Sequence, residues 1–144
     1  MSGISERSGR PDAGEVQQIL DAVPFVRTLG IRVSMVDDRL TVCLPYAPHI
    51  VGNPKVPALH GGALASLLQI AATAELIRVT AARKPPRMFS QTIEYLAGAG
   101  MLDTVATATV VSRSRRYANV RVEARQGTST RPAAVATVQF LLVE

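Results

Sequence analysis

The chain is expected to fold as an α+β domain in which a curved antiparallel sheet wraps one long central helix. Three observations predict this. Residues 61–82 form a proline-free segment that is apolar nearly all round, four later segments show strand character, and a short hairpin pattern precedes the helix. A helix apolar on most sides must be covered by something, and each strand of an antiparallel sheet offers one apolar face for that purpose.

In chain order, residues 1–14 read as a disordered tail, rich in Ser, Gly, Arg and Pro, ahead of one domain spanning 15–144. Asp12 or Gly14 is placed to start a short helix whose apolar positions are Val16, Ile19, Leu20 and Val23, and Pro24 ends or redirects it. Phe25, Leu29 and Ile31 are expected to be buried on the approach to the first strand. Residues 31–36 and 40–44 are β-branched runs flanking Asp37-Asp38, which predicts a hairpin. Residues 45–57 carry prolines at 45, 48, 54 and 57 and are expected to be a long loop. The central helix follows at 61–82. After Pro85-Pro86 the period changes, and 88–96, 102–112, 117–125 and 133–143 are expected to form a four-stranded meander.

Length and composition narrow the function. A chain of 144 residues is long enough to bury a core as a single domain. Sixteen basic against eleven acidic residues give a net charge of +5, almost all of the excess being arginine. Arginine makes paired hydrogen bonds to phosphate, so the charge fits either a phosphate-bearing partner or a merely basic surface. Six aromatic residues with no interleaved pattern argue against a nucleic-acid partner. Cys43 is the single cysteine and no metal-ligand cluster is evident, so neither a disulfide nor a metal is expected, in keeping with a reducing, cytoplasmic compartment. The N-terminal residues lack the apolar core of a signal peptide, and no uninterrupted apolar run is long enough for a membrane span.

Chemistry concentrates at the start of the long helix. Gly61 and Gly62 either let a substrate approach unpaired helix amides, with Gly61 as the oxyanion donor, or merely ease a tight turn into the helix. Ser66, Gln69 and Thr73 fall on one helix face, forming a polar stripe that should meet a pocket, a water or another subunit. Glu75 points away from Gln69 and suits an ion pair with solvent or a neighbouring subunit. Glu94 can face either way on its strand. His60 reads either as a hydrogen-bonding residue of the turn or as a group that positions the carbonyl or acts as base, and His49 as a surface residue. Arg113, Arg115 and Arg116 cluster at a strand turn, either solvated or set to hold phosphates.

Taken together, Asn53, the run His60-Gly61-Gly62-Ala63-Leu64-Ala65-Ser66-Leu67-Leu68, and Gln91-Thr92-Ile93-Glu94-Tyr95-Leu96 on the next strand resemble the hotdog-fold acyl-CoA thioesterases, in particular the phenylacetate-degradation (PaaI-like) branch. The resemblance covers roughly residues 20–144 and implies a hotdog fold. It also implies acyl-CoA as substrate with CoA as its only cofactor-like part, and a homodimer or homotetramer with sites between subunits. In this likeness Asn53 and His60 position the substrate, Gly61 binds the thioester oxygen, Gln69 and Thr73 hold the water, Gly62 and Ser66 contact the substrate, and Arg113, Arg115 and Arg116 bind the CoA phosphates.

Two departures stand out. The family carries Asp or Glu nine residues after the histidine, where this chain has Gln69, and its Tyr-Leu-Arg-Pro strand motif here reads Tyr95-Leu96-Ala97-Gly98. A neutral amide can orient water but cannot take its proton. The sequence therefore leaves two readings, a thioester hydrolase and a non-catalytic or weakly active acyl-CoA-binding protein. A hydratase would need an Asp/His pair on a different loop pattern, which the sequence lacks.

Overall fold

The computed structural model describes residues 9–53, 55 and 58–142. Its first helix, α1 (Ala13–Asp21), begins inside the segment read as tail, of which residues 1–8 lie outside the described residues. A capping box anchors it. Asp12 accepts from the Glu15 N–H at 2.8 Å, and Glu15 accepts from the Asp12 N–H at 3.2 Å. Val16 and Leu20 face the core. Pro24 redirects the chain by opening a second helix, α2 (Pro24–Leu29), where its missing N–H costs no bond. The expectation for Phe25 is corrected here. It is 51% exposed, because the one-turn offset of α2 turns Val26 and Leu29 inward instead.

The hairpin forms as expected, β1 (Arg32–Val36) against β2 (Arg39–Leu44). Asp37 and Asp38 both adopt positive φ, 51° and 63°, the geometry of a two-residue turn matching the strand twist. The proline segment is less irregular than its composition suggests. Pro48–Ile50 makes a 3-10 turn, and β3 (Val51–Asn53) pairs with β4 (Ala58–Leu59). No proline falls between 49 and 53, so the backbone there keeps its N–H groups for pairing. Pro54, Val56 and Pro57 lie outside the described residues.

The central helix is α3 (Gly61–Thr80). Twelve of its residues are buried, from Ala63 and Leu64 to Ile77, against β2, β6, β7 and β8. It is long and apolar enough to cross a membrane, but 67% of that stretch is buried inside the fold, so it is the core helix of this domain.

Four strands follow: β5 (Arg87–Tyr95), β6 (Thr104–Arg113), β7 (Tyr117–Gln126) and β8 (Ala134–Leu141). They are antiparallel, yet they are not one meander. The six-stranded sheet runs β1-β2-β6-β7-β8-β5, so only β6, β7 and β8 follow in sequence. The hairpin occupies the edge of β6, with Thr41 opposite Thr107. That leaves β5 to pair with β8, from Arg87 opposite Leu141 to Tyr95 opposite Ala134. The sheet packs on α3 through β2, β6, β7 and β8, and β5 becomes an outer strand.

Candidate active site

β4 delivers the chain into α3 through a tightly tethered turn. The His60 N–H donates to Ile50 O at 2.7 Å, and the His60 carbonyl accepts from Ala63 and Leu64 at 3.0 and 3.2 Å. The imidazole itself caps the helix, Nδ1 accepting the Gly62 N–H at 2.9 Å. Such a cap requires Nδ1 to be unprotonated, which places the ring proton of the neutral imidazole on Nε2. The two glycines are therefore inequivalent. The Gly62 amide is engaged by His60, whereas the exposed Gly61 N–H has no partner among the described residues. Gly61 is the donor left open at the positive end of a 20-residue helix.

Strand β5 holds this turn from the side. The Tyr95 hydroxyl donates to Gly61 O at 3.0 Å, and Gln91 Nε2 donates to Ala65 O at 3.0 Å. The sequence reading used Tyr95 only as a strand marker and gave Gln91 no role. The available signal was the shared four-residue spacing, which puts Gly61 with Ala65 on one helix face and Gln91 with Tyr95 on one strand face. Space around the glycines also differs. A Cβ on Gly61 would sit 3.5 Å from the Tyr95 hydroxyl, an ordinary contact, while one on Gly62 would press to 3.0 Å from His60 Nδ1.

Along the polar stripe, two of three side chains satisfy themselves on their own helix. Ser66 Oγ donates to Gly62 O and Thr73 Oγ1 to Gln69 O, each at 2.8 Å. Thr73 is buried at 8% exposure, its hydroxyl proton already committed. Gln69 differs: it is half-buried, and its side-chain amide has no hydrogen-bond partner among the described residues. Asn53 ends β3, and its side chain lies outside the described residues.

No described carboxylate hydrogen-bonds to the His60–Gly62 turn. Glu94 is exposed on β5. Glu75, expected to meet solvent or a neighbouring subunit, is buried at 5% exposure and pairs with Arg78 of its own helix at 2.6 Å. It lines a groove with Arg39, Arg78 and Arg113, cations that favour a carboxylate there. Burial raises its carboxyl above the ordinary carboxylate value, against the opposing pull of Arg78, Arg39 and Arg10.

The arginine cluster lies elsewhere. Arg113 and Arg115 line a groove of about 1060 Å³ at the C-terminal end of α3, joined there by Arg83, Lys84 and Arg87. At 1.5 Å rise per residue this end lies about 30 Å from Gly61. Arg116 sits on the same turn, its N–H donating to Ser114 Oγ, and is not part of the groove lining. Within one chain the structure thus does not bring the arginines to His60. Arg83, Lys84 and Arg87 escaped the sequence reading, although three cations in five residues around Pro85-Pro86 marked the segment. A smaller adjoining groove of about 380 Å³ is lined by Arg39, Glu75, Arg78 and Arg113.

Comparison with known proteins agrees with this architecture. Residues 52–141, more than half of the chain, match the model of the acyl-CoA thioesterase N-terminal domain family. A Pseudomonas aeruginosa protein superimposes with a TM-score of 0.80 at 24% identity, covering 92% of this chain and 100% of its own. A Bacillus halodurans protein whose structure contains CoA gives 0.74 at 21% identity, covering 91% and 90%. A phenylacetic acid degradation-related protein of Ralstonia eutropha JMP134 gives 0.72 at 21% identity, covering 89% and 99%. No curated protein sequence matches the chain.

Proposed function

The chain belongs to the acyl-CoA thioesterase N-terminal domain family, and on that premise we propose that it hydrolyses an acyl- or aryl-CoA thioester to the free acid and CoA, in the manner of the PaaI-like branch. The observation that carries this reading is the unpartnered Gly61 N–H at the start of α3, with the Gly61 carbonyl held by Tyr95. Attack of water on a thioester carbonyl places negative charge on its oxygen. A preorganised amide at a helix N-terminus stabilises that charge in the transition state more than in the ground state. The free amide of Gln69, two helical turns along, orients the attacking water, and Thr73 fixes the Gln69 turn through its backbone. His60 maintains the turn as its cap, Asn53 and His60 position the thioester, and Gly62 and Ser66 border it.

The reading includes a second copy of the chain. β5 is a nine-residue outer strand with Phe89 and Tyr95 exposed at 52% and 55%, and Leu96 just beyond it at 46%, and a long free edge with exposed apolar residues is suited to pairing with another strand. Neither of the two grooves described above borders His60, Gly61 or Gln69, and on this reading the acyl pocket is completed across a dimer or a pair of dimers. Arg113, Arg115 and Arg116 of one copy would then meet the CoA phosphates of a thioester bound at the other. The compartment that suits this work, with Cys43 as a free thiol, is the cytoplasm.

The test is a panel of short, medium and aryl acyl-CoAs with released thiol detected. Turnover on at least one class is expected, and none above background on any would overturn the proposal. Gln69 in the carboxylate position favours the second reading, a CoA-ester-binding protein without catalysis. On that reading Gln69→Asp creates activity while binding of CoA esters stays similar. Brisk wild-type turnover abolished by Gln69→Ala excludes it.

A further inference from the structure

Gly61, Ala65 and Gln69 follow one another at i, i+4 spacing and lie on a single face of α3. Strand β5 grips the first two from the side, Tyr95 at the Gly61 carbonyl and Gln91 at the Ala65 carbonyl. A carbonyl oxygen only accepts, so the atom of the Gln91 amide that faces Ala65 O, at 3.0 Å, is Nε2. That bond fixes the amide plane and decides which atom is left over. Gln91 Oε1, which only accepts, has no partner among the described residues, and neither has the side-chain amide of Gln69. Both residues are half-buried, and no buried side-chain polar atom among the described residues lacks a partner. The unpartnered atoms of the two glutamines are therefore within reach of water.

One oxygen joins the two residues. In an α-helix the Ala65 carbonyl also accepts the Gln69 N–H, which brings the Gln91 amide to within about 6 Å of the Gln69 backbone nitrogen, two hydrogen-bond lengths. On this row no side chain larger than a methyl precedes Gln69. A carboxylate at position 69 would hold a water by charge and draw its proton, whereas a neutral amide does neither. A water held by one freely turning amide is poorly directed. A second acceptor whose plane is fixed removes that freedom, because a water with its O–H groups engaged presents its lone pair in one direction. We propose that Gln91 is the second water-holding residue of the thioester site. Gln91 Oε1 and the Gln69 side-chain amide bind one water between them, and the bond from Gln91 Nε2 to Ala65 O sets its place. The pair orients the water and accepts no proton. The consequence for turnover rests on the hydrolase function proposed above; the water site itself does not.

The experiment pairs crystallography of the full chain, at a resolution that shows ordered water, with acyl-CoA kinetics. The wild type is expected to hold a water within hydrogen-bond distance of both Gln91 Oε1 and the Gln69 amide, and Gln91→Leu to lose it. On the acyl-CoA that the wild type turns over best, Gln91→Leu should lower kcat by roughly tenfold with KM unchanged. The same substitution made in a Gln69→Asp background should cost much less, because the aspartate holds the water by charge. A residue that merely steadied the helix turn would cost the same factor in both backgrounds. Thermal melting checks that each variant is folded, and Gln91→Met, which keeps the length of the side chain without its polar atoms, replaces Gln91→Leu should that variant unfold. No water bridging the two amides in the wild type overturns the proposal, and so does an equal loss of kcat in both backgrounds or none in either. The crystallographic readout needs no turnover. A catalytically silent protein that holds the bridging water, and loses it in Gln91→Leu, sustains the inference and sinks only the proposed activity; brisk turnover without that water does the reverse.

Discussion

At its first turn α3 presents one open N–H, that of Gly61, hedged by a capping imidazole and a tyrosine hydroxyl. At its last turn the same helix runs into five cations, none with a partner among the described residues, around a groove of about 1060 Å³. The first end works by short-range geometry, where a bond of about 3 Å decides which amide is free. The second works by summed charge, where no single contact decides anything. An anionic transition state suits the former, because charge appears at one atom; a phosphate-bearing head suits the latter, because its charge is spread and permanent. Substitutions at the two ends should therefore fail in different ways, and the predictions below probe that contrast.

The largest effect is expected at Gly61. A Cβ there meets only ordinary contacts with Tyr95, so Gly61→Ala should fold normally. It would stand between substrate and the open amide, and thioester turnover should fall by on the order of 100-fold, the scale of losing an oxyanion donor. An equally active Gly61→Ala would remove the oxyanion role from this end. Tyr95→Phe comes next. It deletes the bond to Gly61 O, which should lower kcat by roughly tenfold with KM unchanged and destabilise by about 1 kcal/mol. A rise in KM with kcat intact would make Tyr95 a substrate contact instead of a positioning residue.

His60→Ala removes the helix cap and should cost about 1 kcal/mol, measured by denaturant unfolding. His60→Asn, which can also cap, should recover most of that stability; if it does not, the imidazole's packing outweighs its bond. Glu75→Gln should have the smallest effect. Its carboxyl is raised by burial, so in the folded state it binds its proton more tightly than in the unfolded chain. From 4.5, its ordinary value, upward to the raised folded value, the native state holds the extra proton and wild-type stability falls as pH rises. The glutamine variant lacks this slope. Its melting temperature should gain on the wild type as pH rises through that window, by the equivalent of about 1 kcal/mol or less. Parallel curves would show that Arg78 fully offsets the burial.

What could be read from the sequence follows from local rules. The period of apolar residues located α3 and the strands, Asp37-Asp38 marked the hairpin, and the order of Asn53, His60-Gly61-Gly62 and Tyr95-Leu96 pointed to the thioesterase family that the comparison with known proteins shows. Gln69 was visible as the residue standing where the resemblance implies a carboxylate.

Other features depend on which distant segments meet. β5 was read into a meander, but it pairs with β8 because the edge of β6 is taken by a hairpin sixty residues upstream. The inequivalence of Gly61 and Gly62 depends on a rotamer of His60 that places Nδ1 on one amide and not the other. Tyr95 reaches Gly61 across 34 residues, and Arg83, Lys84 and Arg87 meet Arg113 and Arg115 only where α3 ends against the β6–β7 turn. Periodicity and motif order are properties of neighbouring residues, and the sequence determined them alone. Which amide stays open and where charge accumulates are properties of long-range packing, and only the tertiary structure decided them.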